Sequence, residues 1–487
     1  MNSQTSPSEQ QQQRLAQRHS AEHIAALVEQ QRAAFNAAGQ VSYAQRIDRL
    51  ERCIQLLLEY KDRFCESIDQ DFNGRHRAVS LMGDIIGPIT SLKTVKKHLK
   101  KWMKPSRRSA MFPFQLFGSK AWVEYQPKGV VGIIGTWNAP LFTVLSPLAY
   151  VLAAGNRAII KPSELTPRTS QLLQQAIEKY FDYSEVAVVI GDAEVAAAFS
   201  AQPFDHLVLT GGTHVGRAVM QAAAQNLVPL TLELGGKSPA IVGRSADLKM
   251  AAQRIAAGKL INNGQICVSP DYVYVPKEHI ERFIEHCRAH YQALVPEPAA
   301  PDLTAIINQR HAQRVQSYVT DARQRGLRVE NCAARENTNA QFKPTLNLVI
   351  DPPADSAIMQ HEIFGPAMVI LAYDDIDRVI DEINRRPRPL ALYYFGRDAA
   401  EERKVLNNTI SGGVTINEVA LHPGLESAPF GGIGPSGMGS YHGFEGFIEF
   451  SHAKTIFKMG WGDPRQLFGM SMPYSEKLLA MLERSLR

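Results

Sequence analysis

Cysteine is scarce in this 487-residue chain: five residues, with no CxxC pair and no metal-ligand spacing. That excludes a disulfide framework and a zinc site, so no metal is expected, and it points to a reducing, cytoplasmic compartment where a free thiol persists. Charge of one sign is also missing. A formal net charge of +5 over this length leaves no electrostatic footprint for nucleic acid, and no such partner is expected. The first twenty residues lack the apolar segment of a secretory signal and are polar and Gln-rich, so 1–20 is expected to be a disordered tail. No unbroken membrane span is present either. The stretch from Gly129 to Asn156 carries no charge, but Asn138, Pro140, Pro147 and several glycines divide it into a strand, a turn and a helix.

What is present is an ordinary globular composition, 45% hydrophobic and 21% charged, in a chain long enough for two or three domains. From about 20 to 104 apolar residues recur three and four apart, which predicts helices. In "LKTVKKHLKKWMKP" Leu92, Val95, Leu99 and Trp102 share one face and lysines the other, and Pro105 ends the run. The lysines read as a solvated face. Residues 106–128 read as an extended hairpin. Short apolar strands then alternate with helices, from "GVVGIIG" through a helix closed by Gly155, then "NRAIIKPSE", "VAVVIG" and "FDHLVLTGG". That alternation predicts an α/β fold with a parallel sheet covered on both faces, whose ligands sit beyond the carboxyl ends of the strands. A second α/β run occupies about 237–420, and the tail beyond 421 is glycine-rich, then extended.

Two formal motifs fail. "GGIGPSG" contains Gly432, Gly434 and Gly437 in GxGxxG spacing but follows no clear strand and has a proline where a helix should open. "LGGKS" ends like a phosphate-binding loop, yet its first glycine would fall at Thr231 and Pro239 interrupts the helix. Better signals lie at strand ends. Lys161 and Glu164 in "IIKPSE" suit the hydroxyls of a ribose, and Glu164 repels a 2′-phosphate, which favours NAD and leaves NADP as the less suited cofactor. Gly211, Gly212 and Gly216 in "TGGTHVG" let a pyrophosphate approach a helix N-terminus. Taken singly, Cys267 in "NNGQICV" reads as a packed thiol, Glu233 in "LELGG" as a salt-bridged acid and Asn138 in "GTWNAP" as a helix cap.

Taken together, "GTWNAPL", "KPSE", "TGGTHVG", "LELGGKSP", "NNGQICV", "EIFGP" and "PFGGIGPSGMGSYHG" occur in an order and spacing that resemble the aldehyde dehydrogenase superfamily, from about residue 20 to 457. "VSPDY", "RPRPLALYYF" and the run after Gly437 are similar to its class-three branch, and within it to the bacterial coniferyl aldehyde dehydrogenase group. The resemblance implies a Rossmann-like NAD-binding domain (21–105 and 129–236), a catalytic α/β domain (237–420), a small β bridging element for oligomerisation (106–128 and 421–457) and a C-terminal tail (458–487). It implies oxidation of an aromatic or medium-chain aldehyde to the acid through a thiohemiacetal and thioester on Cys267. Glu233 would be the general base and Asn138 an oxyanion donor. Trp137, Glu362 and Phe364 would join Lys161, Glu164 and the three glycines at the cofactor. A homodimer without a membrane anchor is implied as well. Gly212, His361 and Glu418 depart from the family's usual serine, acid and aspartate. The competing reading is a cysteine-dependent hydrolase or thioesterase without redox chemistry, which needs a histidine beside the thiol.

Overall fold

The computed structural model describes residues 20–297, 300–334 and 342–486. The expected N-terminal tail lies outside them except for Ser20, whose side chain caps the first helix, α1 (Ala21–Ala38). A capping box between Ser42 and Gln45 opens α2 (Tyr43–Phe72), and Asn73 ends it in the left-handed conformation. A one-turn π-helix at Leu81–Ile86 leads into α3 (Gly87–Trp102). Its predicted stripe of Leu92, Val95, Leu99 and Trp102 is buried.

The chain next forms β1 (Ser106–Arg108) and β2 (Lys120–Pro127), then enters the predicted alternation. This comprises β3 (Val130–Ile134), α4 (Phe142–Ala154), β4 (Arg157–Lys161), α5 (Pro167–Tyr180), β5 (Val186–Val188), α6 (Ala193–Ser200), β6 (His206–Gly211), α7 (Thr213–Ala224) and β7 (Leu230–Leu234). Gly155 closes α4 at φ 93°, a left-handed position that suits glycine. The charge-free stretch is thus β3, a turn and α4. No helix among the described residues is long and apolar enough to cross a membrane.

The second run holds β8 (Ser238–Val242), α8 (Leu248–Leu260), β9 (Pro270–Pro276), α9 (Ile280–Leu294), α10 (Gln309–Gln324), β10 (Val329–Asn331), β11 (Asn347–Ile350), β12 (Ala367–Tyr373), α11 (Ile376–Arg385), β13 (Ala391–Phe395), α12 (Ala399–Asn408) and β14 (Gly413–Ile416). The tail adds β15 (Gly437–Met438), α13 (Gly443–Glu449), β16 (Ser451–Lys458) and α14 (Glu476–Ser485). Helix α13 was not expected in a tail read as extended. Its glycines, Gly443 and Gly446, conceal it, and Gly446 is needed because a Cβ there would lie 2.8 Å from the Tyr150 ring.

Three sheets result. The first has the order β15-β7-β6-β3-β4-β5, parallel except for β15, and the second β10-β11-β12-β9-β8-β13-β14, parallel except for β10. Strand order in the first reverses between β3 and β6, so a crevice opens beyond their carboxyl ends. The third, β1-β2-β16, is antiparallel throughout. Both rejected motifs resolve into structure of another kind. "LGGKS" runs from β7 into strand β8, and "GGIGPSG" is a loop that brings Gly437 into register beside Glu233.

Candidate active site

Cys267 lies on the loop between a 3-10 turn at Ile261–Gly264 and β9. Asn262, Asn263 and Gly264 are all left-handed, at φ 49°, 52° and 77°. Such backbone costs about 1 kcal/mol or more per non-glycine residue, so the surroundings must over-determine it. They do. Gln265, fully buried, donates to the carbonyls of Asn262 (2.9 Å) and Ala305 (3.0 Å) and accepts from the Ile307 amide (3.1 Å). Asn263 donates to Thr304 O at 3.1 Å. Gly264 is held close against backbone, since a Cβ there would sit 2.4 Å from Gly365 O.

Asn138 reaches this loop from the turn after β3. Its Nδ2 donates to Gln265 O at 3.1 Å, which fixes the amide orientation because that carbonyl only accepts. One N–H remains. The helix-cap alternative for Asn138 is thereby set aside. The amides of Leu141 and Phe142, at the start of α4, are taken by Asp84 Oδ1 at 3.0 and 3.3 Å.

Glu233 projects from β7, 3% exposed, with one carboxyl oxygen unpartnered and no ion pair among the described residues. The salt-bridged alternative therefore does not describe it. Its carboxyl lies near enough to the Cys267 thiol for each to shift the other's protonation. Burial pushes Glu233 up to about 8, against the pull of that thiol and with help from the charge of Glu362. Burial also pushes the Cys267 thiol well above its ordinary value, followed by the charges of Glu233 and Glu362. At neutral pH the resting pair is thus a thiol beside a protonated acid.

Glu362 and Phe364 stand on the loop before β12. Burial lifts Glu362 to about 7, opposed by a hydrogen bond from the Gly236 amide. A Cβ at Gly235 would lie 2.3 Å from that carboxylate, so only glycine admits it. Phe364, at φ 45°, sets its ring edge-on to Trp137 at 5.4 Å. Three residues with no role assigned from sequence hold this loop. Arg314 donates to the carbonyls of Glu362 (3.1 Å) and Phe364 (3.3 Å), Asp271 accepts from Ile363 N (2.8 Å), and Lys237 binds Asp271 and the carbonyls of Ile358 and His361. Lys237 and Asp271 do lie within quoted motifs, "LGGKSP" and "VSPDY"; Arg314 carried no signal.

The strand ends of the first sheet have a different character. Lys161, 2% exposed, pairs with the more exposed Glu164 at 3.0 Å. Gly212 is the N-cap of α7 and supplies no side-chain cap, so the first amides of that helix remain open to an anion. Gly216 packs α7 on β7, where a Cβ would lie 2.9 Å from Leu234. Bare backbone at a helix N-terminus, a buried lysine and a carboxylate, beyond the two strands that flank β3, fit a dinucleotide. His361 stacks on Tyr318 (6.2 Å) and Glu418 pairs with Arg254 (3.3 Å). Both departures serve local packing.

A thiol near a buried carboxyl, beside a dinucleotide-type crevice at a sheet's switch point, fits a thiol-dependent oxidoreductase. Residues 2–456 match the model of the aldehyde dehydrogenase family, and the chain belongs to that family. It is 48% identical over 457 residues to a probable coniferyl aldehyde dehydrogenase of Caulobacter vibrioides, covering 92% of this chain and 94% of that one. It is 45% identical over 468 residues to a coniferyl aldehyde dehydrogenase of Pseudomonas sp., covering 95% and 96%. Among solved structures, the substrate-bound state of Staphylococcus aureus AldH superposes with a TM-score of 0.88 at 32% identity, covering 95% of this chain and 99% of that one. The protein is therefore an oxidoreductase that oxidises aldehydes with a nicotinamide dinucleotide, and the non-redox hydrolase reading is set aside.

Proposed function

We propose that the protein converts a hydroxycinnamyl-type aldehyde, such as coniferyl aldehyde, to its carboxylic acid, preferring NAD, as a cytoplasmic homodimer. The observation that carries the chemistry is the Asn138 amide tied to the loop of Cys267, with the buried Glu233 carboxyl near that thiol. Support for the substrate class comes from the names of the two relatives above.

The Cys267 thiol gives up its proton, to Glu233 in the fraction of enzyme whose carboxyl is ionised or else to water, and the thiolate attacks the aldehyde carbon. The oxyanion that forms accepts the free N–H of Asn138 Nδ2 and the backbone N–H of Cys267, a donor of this kind contributing on the order of 3 kcal/mol. Bound NAD supplies the hydride acceptor; Trp137, Lys161, Glu164, Gly211, Gly212, Gly216, Glu362 and Phe364 would hold it. Loss of hydride from the tetrahedral carbon leaves a thioester on Cys267. With the first proton released to solvent, the ionised Glu233 draws a proton from water, which attacks the thioester and frees the acid and the thiol.

The six-stranded unit would carry the dinucleotide and the seven-stranded unit the nucleophile. The third sheet would join two subunits. Phe112, Leu116, Phe457 and Trp461 on and beside it are exposed, as in a face covered by a second copy. An NADH-absorbance screen over coniferyl aldehyde, cinnamaldehyde and straight-chain aldehydes tests the substrate class; kcat/KM highest on a straight chain would refute it. Light scattering on the eluted protein tests the dimer.

A further inference from the structure

The turn that carries Asn138 is held by a buried ion pair brought from elsewhere in the chain. Arg75 and Asp84 are 3% and 0% exposed, and Arg75 Nη2 donates to Asp84 Oδ2 at 2.8 Å. The other nitrogen of the fork, Nη1, donates to the Asn138 carbonyl at 3.2 Å, and Asn262 Nδ2 donates to the same carbonyl at 3.1 Å. The other oxygen of Asp84 takes the Leu141 and Phe142 amides. The guanidinium also lies over the Phe72 ring, 5.0 Å from its centre. Asp84 is set inside the π-helical turn, an irregularity common at functional sites.

A buried ion pair adds little stability over an apolar pair of the same volume. What this pair supplies is geometry. An asparagine just ahead of a helix ordinarily spends its side chain on the first amides. Here Asp84 performs that task from a distant element, and the Asn138 side chain stays free to donate toward the Cys267 loop. Arg75 meanwhile pins the Asn138 backbone from the opposite side, so the amide cannot swing with the turn.

We propose that Arg75 and Asp84 are positioning residues for acylation, acting through Asn138. This rests on the reading of Asn138 as an oxyanion donor. The test is a double-mutant cycle read as the rate of the first NADH turnover at saturating NAD, with an aldehyde that the wild type oxidises. N138A is expected to slow it by about 10²–10³-fold. R75M is expected to slow it by about 10-fold or more, with R75K recovering part of the loss and NAD affinity unchanged within about 2-fold. In the N138A background R75M is expected to cost less than about 2-fold, because its effect passes through the amide already removed. D84N keeps an acceptor for the two helix amides and carries the same cycle if R75M does not fold. Equal losses in both backgrounds, or no loss in either R75M or D84N, would overturn the positioning role while leaving Asn138 its own. An N138A enzyme that acylates at the wild-type rate would instead overturn the oxyanion reading, and this one with it.

Discussion

The two sides of the crevice are built on opposite terms. On the side of the nucleophile, function rests in side chains: a thiol and two carboxyls whose titration burial raises, one carboxyl on strand β7 and the others on loops held by buried hydrogen bonds. On the dinucleotide side it rests largely in backbone: glycines, an uncapped helix start, and one lysine–carboxylate pair whose carboxylate is open to water. Buried charge is sensitive to the loss of a single atom, whereas bare backbone and screened pairs are tolerant. Substitutions should therefore differ in size according to the side they fall on.

The widest gap is expected from C267A. It should abolish NADH formation, a loss of about 10⁴-fold or more, while NAD still binds by fluorescence titration; retained turnover would dissolve the contrast. Next comes E233Q. First-turnover NADH should survive while steady turnover falls about 10²–10⁴-fold. The base works ionised and its carboxyl is held up at about 8, so in the wild type the steady rate should rise with pH through that value. In E233Q the limb should vanish. A flat wild-type profile between pH 6 and 9 would remove Glu233 from the hydrolysis step.

Effects on the other side should be modest. E164Q removes a screened charge, and NADP should gain on NAD by only a few-fold, about 1 kcal/mol or less. A wild type already faster with NADP would reverse the reading of Glu164. Smallest is G212S. An added hydroxyl should tighten NAD by about 2- to 10-fold, the worth of one neutral hydrogen bond, if the His214 ring yields the room its Cβ needs. Weaker binding would mean the ring does not yield.

The same contrast explains what could be read from residues alone. Strand-end glycines and the βα alternation are local patterns, and they were legible. The helix-cap alternative for Asn138 could not be dismissed from spacing, because whether it caps its own helix depends on Asp84 and Gln265, which no spacing links to it. Glu233 and Cys267 drew attention through "LELGG" and "NNGQICV", yet their proximity is tertiary. Arg314 shows the limit most clearly. It lies on an amphipathic helix like any surface arginine, and only the fold brings it to the Glu362 and Phe364 carbonyls. Helix α13 was hidden for the opposite reason, since the glycines that weaken its propensity let it pack against Tyr150.

The pairing of Gly437 with Glu233 sets a timetable for synthesis. The strand that holds the buried acid leaves the ribosome with one edge bare, and the residues that cover it are made roughly two hundred positions later, some 10 to 40 seconds at ordinary elongation rates. During that interval the nucleophile loop and the whole seven-stranded sheet are made while the acid's strand still lacks its cover. The edge beside Glu233 is therefore closed only after the second sheet has been synthesised.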